Sequence, residues 1–317
     1  MVLRALAKLF RREGVDHEEG KYQPMGSPAL SGRYAWSTVS NSSLTDDLDG
    51  PTQLGKQAGW RDQNPVWFSF SAGLPSWDSW ANRTVVRRLI GAWLRDRRQF
   101  SRKWLGRTCP ICGYSGVFIS VGHPPRWDAR CPQCGSRERH RLTQLWIAED
   151  GGNKLDGKRI LHFAPEKAVI DQMRANPLYE TADLHRMDVK HRVNITQVPL
   201  PDASYDVVIA HHVLEHVDDD RQAMKELFRL LKPGGTAVLS VPINATRQQT
   251  YERGTITRPE QRAVHFGGRD HKRYYGLDFA TRLTDVGFQV ETFRVSQEVE
   301  VAYGLLRDEW LTIARKT

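Results

Sequence analysis

Apolar and polar positions follow two different rhythms along the chain, and the change between them falls near residue 156. Beyond this point, short apolar runs of strand length alternate with segments whose apolar residues recur every three or four positions. Strands are predicted at RILHFA (159–164), YETADL (179–184), YDVVIAHHV (205–213), TAVLSVP (236–242), FQVETFRV (288–295) and WLTIAR (310–315). This alternation predicts an α/β fold with a doubly wound, mostly parallel sheet over residues 156–317.

Helices are predicted between these strands, at residues 165–175, 218–235 and 278–287. Asp residues open the second of them, and LKPGG closes it, which are ordinary start and stop signals. One connection is short, because only residues 184–192 separate Asp183 from Val193. A parallel crossover needs about a dozen residues, so a loop is predicted there in place of a helix.

The first half of the chain has a different texture. Residues 1–58 are rich in Ser, Gly, Asp and Pro without sustained periodicity, which predicts a largely disordered region. Residues 59–106 are rich in Trp, and their apolar spacing over 84–105 predicts an amphipathic helix with an arginine-rich outer face. The oligomeric state is not predicted by any of these patterns.

The first fourteen residues, MVLRALAKLFRREG, lack the continuous apolar core of a secretion signal. They place Leu3, Leu6 and Leu9 on one helical face among basic residues, which permits a weak peripheral membrane contact or a solvated helix. No apolar run approaches the roughly 18 residues that a membrane span needs. Apolar residues make up 39% of the chain, which supports a packed core.

The net charge is +9, and most of it is concentrated in one window. Residues 83–107 hold eight Arg and one Lys against a single acid, Asp96. Such a window indicates either a surface for anionic partners, including nucleic acid and phosphorylated molecules, or a solvated helix face.

The four cysteines form two knuckles of the same CPxCG pattern, CPICG and CPQCG, in the spacing C-x2-C-x18-C-x2-C. Each knuckle directs two thiolates at one ion, so Cys109, Cys112, Cys131 and Cys134 predict a structural Zn²⁺ site within a module at residues 107–142. An iron site or disulfides are the alternatives. Metal-paired thiols favour a reducing compartment, which predicts a cytoplasmic protein.

The module ends in GSRERHRL, which contributes Arg137, Arg139, His140 and Arg141. Two interpretations are open for these basic residues. They bind a phosphate, or they dock on an acidic face of the domain at residues 156–317.

The succession RILHFAPE, YETADL, PLPDASYDVVIAHHVLEHV and LLKPGG resembles the class I S-adenosylmethionine-dependent methyltransferases, in the type 11-like branch with small-molecule and glycan acceptors. The resemblance covers roughly residues 156–317 and implies a Rossmann-like fold with S-adenosylmethionine as cofactor. An HFAPE turn together with CPxCG knuckles also resembles a bacterial methyltransferase subgroup linked with glycan biosynthesis.

The resemblance implies a role for each residue that matches the family's motifs. The turn after the first strand, Phe163–Ala164–Pro165–Glu166, would hold the methionine end of the cofactor, and Asp183 would accept the ribose hydroxyls. Asn194 stands where the family has an acid facing the adenine. His211 and His212 would lie beside the methyl donor, at the end of the fourth strand of the family.

Some of these residues have a second interpretation. Asp183 is otherwise a loop acid, with Asp188 as the ribose partner if the strand register slips. Asn194 is otherwise a turn residue. His216, in the LEH sequence that begins with Leu214 and Glu215, is interpreted as a packing residue at a helix start.

The turn departs from the family because it lacks the usual acid-x-Gly-x-Gly glycines, which let backbone approach the ligand closely. Ala164 is the smallest substitute, and Pro165 suits the first helical position. Glu166 suits a helix start and could pair with the ammonium of the cofactor.

The segment 265–288 would face the substrate and holds His265, Arg269 and His271. His271, His211 and His212 are the candidate general bases, without a ranking among them. The preferred function is O-methylation of a sugar hydroxyl or another small molecule. RNA methylation using the zinc module and basic window is an alternative, and a non-catalytic cofactor-binding scaffold is another.

Overall fold

The computed structural model of the protein describes residues 83–95, 106–121, 126–149 and 154–317. The predictions for residues 1–58, for the membrane-contacting helix and for the Trp-rich stretches at 59–82 and 96–105 lie outside the described residues. Among the helices that are described, none has the length and apolar character to cross a membrane.

The described elements are thirteen strands and seven helices, several of them short. In chain order they are α1 (Arg83–Arg95), β1 (Arg107–Thr108), β2 (Ser115–Gly116), β3 (Ile119–Val121), β4 (Arg126–Arg130), α2 (Glu138–Ile147), β5 (Ile160–Phe163), α3 (Lys167–Met173), β6 (Tyr179–Asp183), β7 (His191–Arg192), β8 (Tyr205–His211), α4 (Asp220–Leu230), β9 (Leu231–Ser240), β10 (Tyr251–Glu252), α5 (Pro259–Phe266), β11 (Arg273–Tyr274), α6 (Phe279–Thr284), β12 (Gln289–Phe293), α7 (Gln297–Tyr303) and β13 (Leu311–Arg315).

Seven strands form one sheet in the order β12-β13-β9-β8-β5-β6-β7. Strands β7, β6, β5, β8 and β9 pair in parallel, whereas β13 is antiparallel to both β9 and β12. This confirms the predicted doubly wound, mostly parallel sheet. From β5 the chain adds β6 and β7 on one side of β5 and then returns to place β8 on the other side. The strand order therefore reverses between β5 and β8. Ligands of open α/β sheets bind at such a reversal, beyond the carboxyl ends of the strands.

Both faces of the sheet are covered by apolar side chains, which explains why the central strands read as continuous apolar runs. On one face, α4 buries Met224 and Leu227. On the other, α2 buries Leu145 and Trp146 together with Val169 of α3. Helix α2 therefore begins beside the cysteine knuckles and ends in the core of the sheet, and the module boundary predicted at residue 142 cuts through this helix.

The predicted helix at 165–175 is shorter in the structure, because Glu166 is the N-cap of α3 and Pro165 precedes the helix. The loop predicted between Asp183 and Val193 is confirmed, since no helix separates β6 from β7. Strand β9 begins within LKPGG, earlier than predicted. Its register with β8 shifts between Tyr205 and Val207, so Gly234 (φ +76°) lies in a bulge.

The helix predicted over 84–105 is described as α1 as far as Arg95. Between β9 and β12 the structure adds elements that the sequence pattern did not predict, namely helix α5 and the antiparallel pair β10–β11. Helix α7 also lies between two predicted strands. These short elements lack a long apolar period, which is why the pattern does not distinguish them from loops.

Candidate active site and metal centre

The four cysteines converge on one point. Sγ of Cys109 lies 3.7 Å from Sγ of Cys134, and Sγ of Cys112 lies 3.7 Å from Sγ of Cys131. A tetrahedral Zn²⁺ with bonds of about 2.3 Å requires sulfurs about 3.8 Å apart. In each knuckle the glycine amide donates back to the first cysteine carbonyl, and Gly113 (φ +71°) and Gly135 (φ +80°) adopt the left-handed backbone. The side chains thus fit a closed zinc site.

The basic residues after the knuckles make internal contacts. Arg141 is fully buried and donates to the carbonyls of Ser136 (2.8 Å) and Ala129 (3.1 Å) inside the module. It also donates to the carbonyl of Tyr303 (2.7 Å), at the end of α7. Of the two interpretations of the basic residues, phosphate binding or docking on the domain at residues 156–317, docking therefore fits Arg141, whose partners here are backbone carbonyls. Arg88 of α1 likewise donates to the carbonyls of the second knuckle.

Glu166 binds two of the three other basic residues of this segment, Arg139 and His140. Arg139 Nε donates to Glu166 Oε2 at 3.1 Å, and both Arg139 Nη2 and His140 Nε2 also contact the carboxylate. Burial alone would raise the pKa of Glu166, but the hydrogen bonds from His140 and Arg139 hold it well below its ordinary value. A cofactor ammonium would have to share this carboxylate with the two residues of α2.

The glycine-free turn keeps a conformation that glycine usually supplies. Ala164 has φ +47°, in the left-handed region, and its amide donates to the carbonyl of Ala182 at 2.8 Å. The strand thus turns sharply at Ala164 before Pro165, which is buried. The turn encoded by HFAPE is therefore a strained version of the glycine turn, since a left-handed alanine costs about 1–2 kcal/mol.

Replacing Ala164 with Gly is expected to leave stability unchanged or to raise it by about 1 kcal/mol, because relief of the left-handed strain outweighs the extra chain entropy. Urea unfolding measures this. The control is Ala168→Gly within α3, where glycine should lower the free energy of unfolding by about 1 kcal/mol or more. Equal destabilisation by both substitutions would contradict the strained turn.

Asp183 ends β6 and is half-buried. Its Oδ1 accepts the amides of His185 (2.7 Å) and Arg186 (2.9 Å), which orients the carboxylate at the carboxyl edge of the sheet. Arg186 then binds Asp188 through two hydrogen bonds of 2.9 and 2.6 Å and reaches the carbonyl of Pro165. Asp188 is exposed and held by Arg186, so the strand register does not favour it over Asp183 as the ribose partner.

Asn194 is exposed and folds into a local turn. Its Oδ1 accepts the amide of Thr196 at 3.0 Å, and its carbonyl accepts the amide of Gln197 at 3.0 Å. These contacts agree with the interpretation of Asn194 as a turn residue. The contact with adenine stays a prediction, and it would need the same side chain that accepts the amide of Thr196.

His211 is fully enclosed. Thr143 donates its hydroxyl to the carbonyl of Arg139 (2.8 Å), so His211 Nε2 is the donor in its 3.2 Å contact with Thr143 Oγ1. Ser240 Oγ then donates to His211 Nδ1 at 2.9 Å. Burial lowers the pKa of His211 well below its ordinary value. With both nitrogens engaged inside the protein, His211 is corrected from a candidate general base to a neutral residue that joins α2 to β8 and β9.

His212 differs from His211 in its exposure, its backbone conformation and its contacts. Its side chain is 32% exposed, and its backbone has φ +53°, which turns it out of the strand end. Nδ1 lies 3.1 Å from Oε1 of Glu215, whose side chain is fully buried. With Glu215 beside one imidazole nitrogen, the other is left to face solvent or substrate, which suits a general base next to a carboxylate that stabilises its protonated form.

The loop after α5 approaches the same strand end. His271 Nδ1 donates to the carbonyl of Phe266 at 2.9 Å, and the His271 ring stacks edge-on against His216 at 4.8 Å between centroids. His216 is half-exposed and contacts Asp270, away from any helix start, so the helix-start interpretation is wrong. Phe266 and Arg273, which also belong to the segment 265–288, are buried and are therefore not presented to a substrate.

The sequence reasoning left Glu215 without a role. The signal available was its spacing, three residues after His212 and one before His216, in a turn that follows a buried strand. Arg273 anchors this turn by donating to the carbonyls of Leu214 (2.9 Å) and Val217 (2.7 Å).

Residues 158–239 match the family described as "Methyltransferase domain". The chain is 32% identical over 121 residues to a protein of Mycolicibacterium smegmatis named a probable S-adenosylmethionine-dependent methyltransferase, covering 38% of this chain and 47% of that one. A similarly named protein of Mycobacterium tuberculosis is 38% identical over 124 residues, covering 39% of this chain and 42% of that one. The chain thus spans less than half the length of these relatives.

Shorter and more distant similarities also occur. A demethylmenaquinone methyltransferase of Listeria welshimeri is 43% identical over 54 residues, or 17% of this chain and 22% of that one. A crystal structure of an S-adenosylmethionine-dependent methyltransferase from Mesorhizobium loti covers 51% of this chain and 93% of that one, with 18% identity and a TM-score of 0.37.

The family match begins just before β5 and ends within β9, so it contains the strand-order reversal, the Ala164 turn and the end of β8. Both mycobacterial relatives are named as probable S-adenosylmethionine-dependent methyltransferases. Residues 158–239 of this chain thus match the methyltransferase-domain family.

Proposed function

We propose that the protein transfers a methyl group from S-adenosylmethionine to a hydroxyl of a sugar or another small hydroxylated molecule. The observation that carries this proposal is the His212–Glu215 pair at the carboxyl end of β8. A partly exposed imidazole that lies 3.1 Å from a buried carboxylate suits the removal of a proton from an alcohol.

The cofactor is proposed to lie at the strand-order reversal between β5 and β8. Three features support this placement. The Ala164 turn brings backbone to the surface beside β5. The hydrogen bonds within the described residues use Oδ1 of Asp183, which leaves Oδ2 for the ribose hydroxyls. Arg186 ties the loop after Asp183 to the carbonyl of Pro165, so both cofactor-facing loops are held together.

S-adenosylmethionine, when bound, supplies an electrophilic methyl group on a positively charged sulfur. His212 would accept the acceptor's hydroxyl proton at Nε2, while Glu215 stabilises the imidazolium that forms. The methyl group would pass to the hydroxyl oxygen, so the role of this chain's residues would be to orient the acceptor and to take up its proton. Alignment of the two reactants contributes much of the rate.

The contacts of the basic residues favour a small acceptor over RNA, because several of these residues are engaged within the protein. Arg88 and Arg141 contact carbonyls within the protein, and Arg139 pairs with Glu166. These guanidinium groups are therefore not presented as a phosphate-binding surface.

The test is calorimetric titration of the zinc-loaded full chain with S-adenosylmethionine. Asp183→Asn is expected to weaken binding by about tenfold to a hundredfold, since hydrogen bonds to a charged group contribute about 1.5–3 kcal/mol. The Asn retains an oxygen for the amides of His185 and Arg186. Asp171→Asn, on the exposed face of α3, is the control and should bind as the wild type does. Absence of any binding to the folded wild type would overturn the proposal.

A further inference from the structure

Glu215 is a buried carboxylate without a hydrogen bond. Its side chain has no exposed surface, and neither Oε1 nor Oε2 has a hydrogen-bonding partner among the described residues. His212 Nδ1 is close enough, at 3.1 Å from Oε1, but is not aligned as a donor. A buried anion in this state costs several kcal/mol unless a cation is beside it. A positive charge beside Glu215 would therefore stabilise this site.

Two further imidazoles face this carboxylate. His216 Nε2 lies 3.9 Å from Oε1 of Glu215, and the His271 ring packs edge-on against the His216 ring. One ligand atom from each of Glu215, His216 and His271 lies within 4.8 Å of the others. Two nitrogens and a carboxylate oxygen thus meet at the carboxyl end of β8.

The Nδ1 atom of each imidazole has an acceptor beside it. His271 Nδ1 donates to the carbonyl of Phe266 at 2.9 Å, and His216 Nδ1 lies 3.1 Å from Oδ2 of Asp270. A proton on Nδ1 is favoured by these neighbours, and it leaves a lone pair on Nε2. Metal-binding histidines in proteins are almost always held in this way, by a carboxylate or carbonyl on the second nitrogen.

We propose that Glu215, His216 and His271 bind a divalent transition-metal ion of the Zn²⁺ class. Two imidazoles and one carboxylate form a ligand set that proteins use for such ions, with at least one coordination position left open. Bonds of about 2.1 Å would place the donor atoms about 3.4 Å apart, so the longest separation must shorten by at most about 1.4 Å.

The backbone around the three ligands is already fixed. The amide of Lys272, next to His271, donates to the carbonyl of Glu215 at 2.7 Å, which joins the two ligand-bearing segments. A Cβ at Gly268 would lie 2.5 Å from His271 Nε2. Gly268 therefore makes room for the ring, and any side chain there would displace it.

The metal site goes beyond the proposed function, and metal binding does not depend on it. If the proposed function also holds, the ion would lie near His212, because both contact Glu215. An acceptor hydroxyl held there would lose its proton to His212 more readily, because a divalent cation stabilises the alkoxide.

The test measures metal content and the spectrum of the Co²⁺-loaded full chain. After dialysis against Zn²⁺ and then metal-free buffer, the wild type should retain two ions per chain, one of them at the cysteines. Glu215→Gln and His271→Gln should each retain one. His265→Gln, an exposed imidazole bonded to Tyr251, is the control and should retain two. Gly268→Ala should lower the affinity of the second ion by tenfold or more.

Co²⁺ separates the two sites in one sample, because thiolate ligands give strong sulfur-to-cobalt charge-transfer bands that nitrogen and oxygen ligands lack. The Glu215 and His271 substitutions should remove only the weak d–d absorption that the second site adds and leave the bands of the four-thiolate site intact, which also shows that the chain remains folded. One ion per wild-type chain, or two in both substituted chains, would overturn the metal site. In that case normal binding of S-adenosylmethionine would leave the proposed function standing.

Discussion

Loss of the Zn²⁺ that we propose for the four-cysteine module is expected to unfold the module and to weaken S-adenosylmethionine binding by tenfold or more. Structural Zn²⁺ contributes about 10–16 kcal/mol to the folding of small zinc domains. Helix α2 starts four residues after Cys134 and supplies Arg139 and His140, which hold Glu166 at the start of α3. Without zinc, this support of the Ala164 turn is lost. The measurement is calorimetric titration of the cofactor into Cys112→Ser, with circular dichroism of both proteins.

A second substitution separates the effect of the contact from that of unfolding. Arg139→Gln should retain zinc and the overall fold but weaken cofactor binding several-fold, because it removes one of the two residues that hold Glu166. Arg174→Gln, which pairs with Asp171 on the exposed face of α3, should have no effect on binding. Cofactor affinity that is the same with and without zinc would show that the module does not support the turn.

The fold was largely predictable because the apolar pattern of a doubly wound sheet is strong. The strands β5 and β8 are buried on both faces, so their sequences, RILHFA and YDVVIAHHV, contain few polar residues. The missing crossover helix before β7 followed from chain length alone. The elements that escaped prediction, such as α5 and the β10–β11 pair, are short and half-exposed, and no period of apolar residues marks them.

The site was only partly predictable, because its chemistry depends on contacts between distant segments. The spacing of the cysteines identified their convergence. The sequence HH, in contrast, does not reveal that His211 is enclosed by Thr143 and Ser240, while the left-handed backbone of His212 turns the next ring outward. Nor does it reveal that Glu166 pairs with α2. These distinctions arise from tertiary packing, which a local pattern does not encode.

Replacing His212 with Gly is expected to lower the rate of methyl transfer to an alcohol acceptor by about 100- to 10,000-fold, the usual contribution of a general base. Glycine suits this position because the backbone has φ +53°, so the substitution should not destabilise the turn. Affinity for S-adenosylmethionine should change less than threefold, because the imidazole acts on the acceptor. The measurement is single-turnover transfer of a labelled methyl group to sugar alcohols, with binding followed by calorimetry.

A base can be distinguished from a structural residue by chemical rescue. Added imidazole should restore part of the rate in His212→Gly, because the space left by the side chain can admit a free base that takes the proton. His265→Gly has also lost an exposed imidazole, but His265 bonds to Tyr251 and lies outside the His212–Glu215 pair, so its rate should fall less than threefold and should not respond to imidazole. An unchanged rate in His212→Gly, or a rate loss matched by the same loss in cofactor affinity, would assign proton removal elsewhere. His271, in protein free of the second metal ion, would then be the residue to test, because its Nδ1 is engaged by the carbonyl of Phe266 and its Nε2 is left as the basic nitrogen.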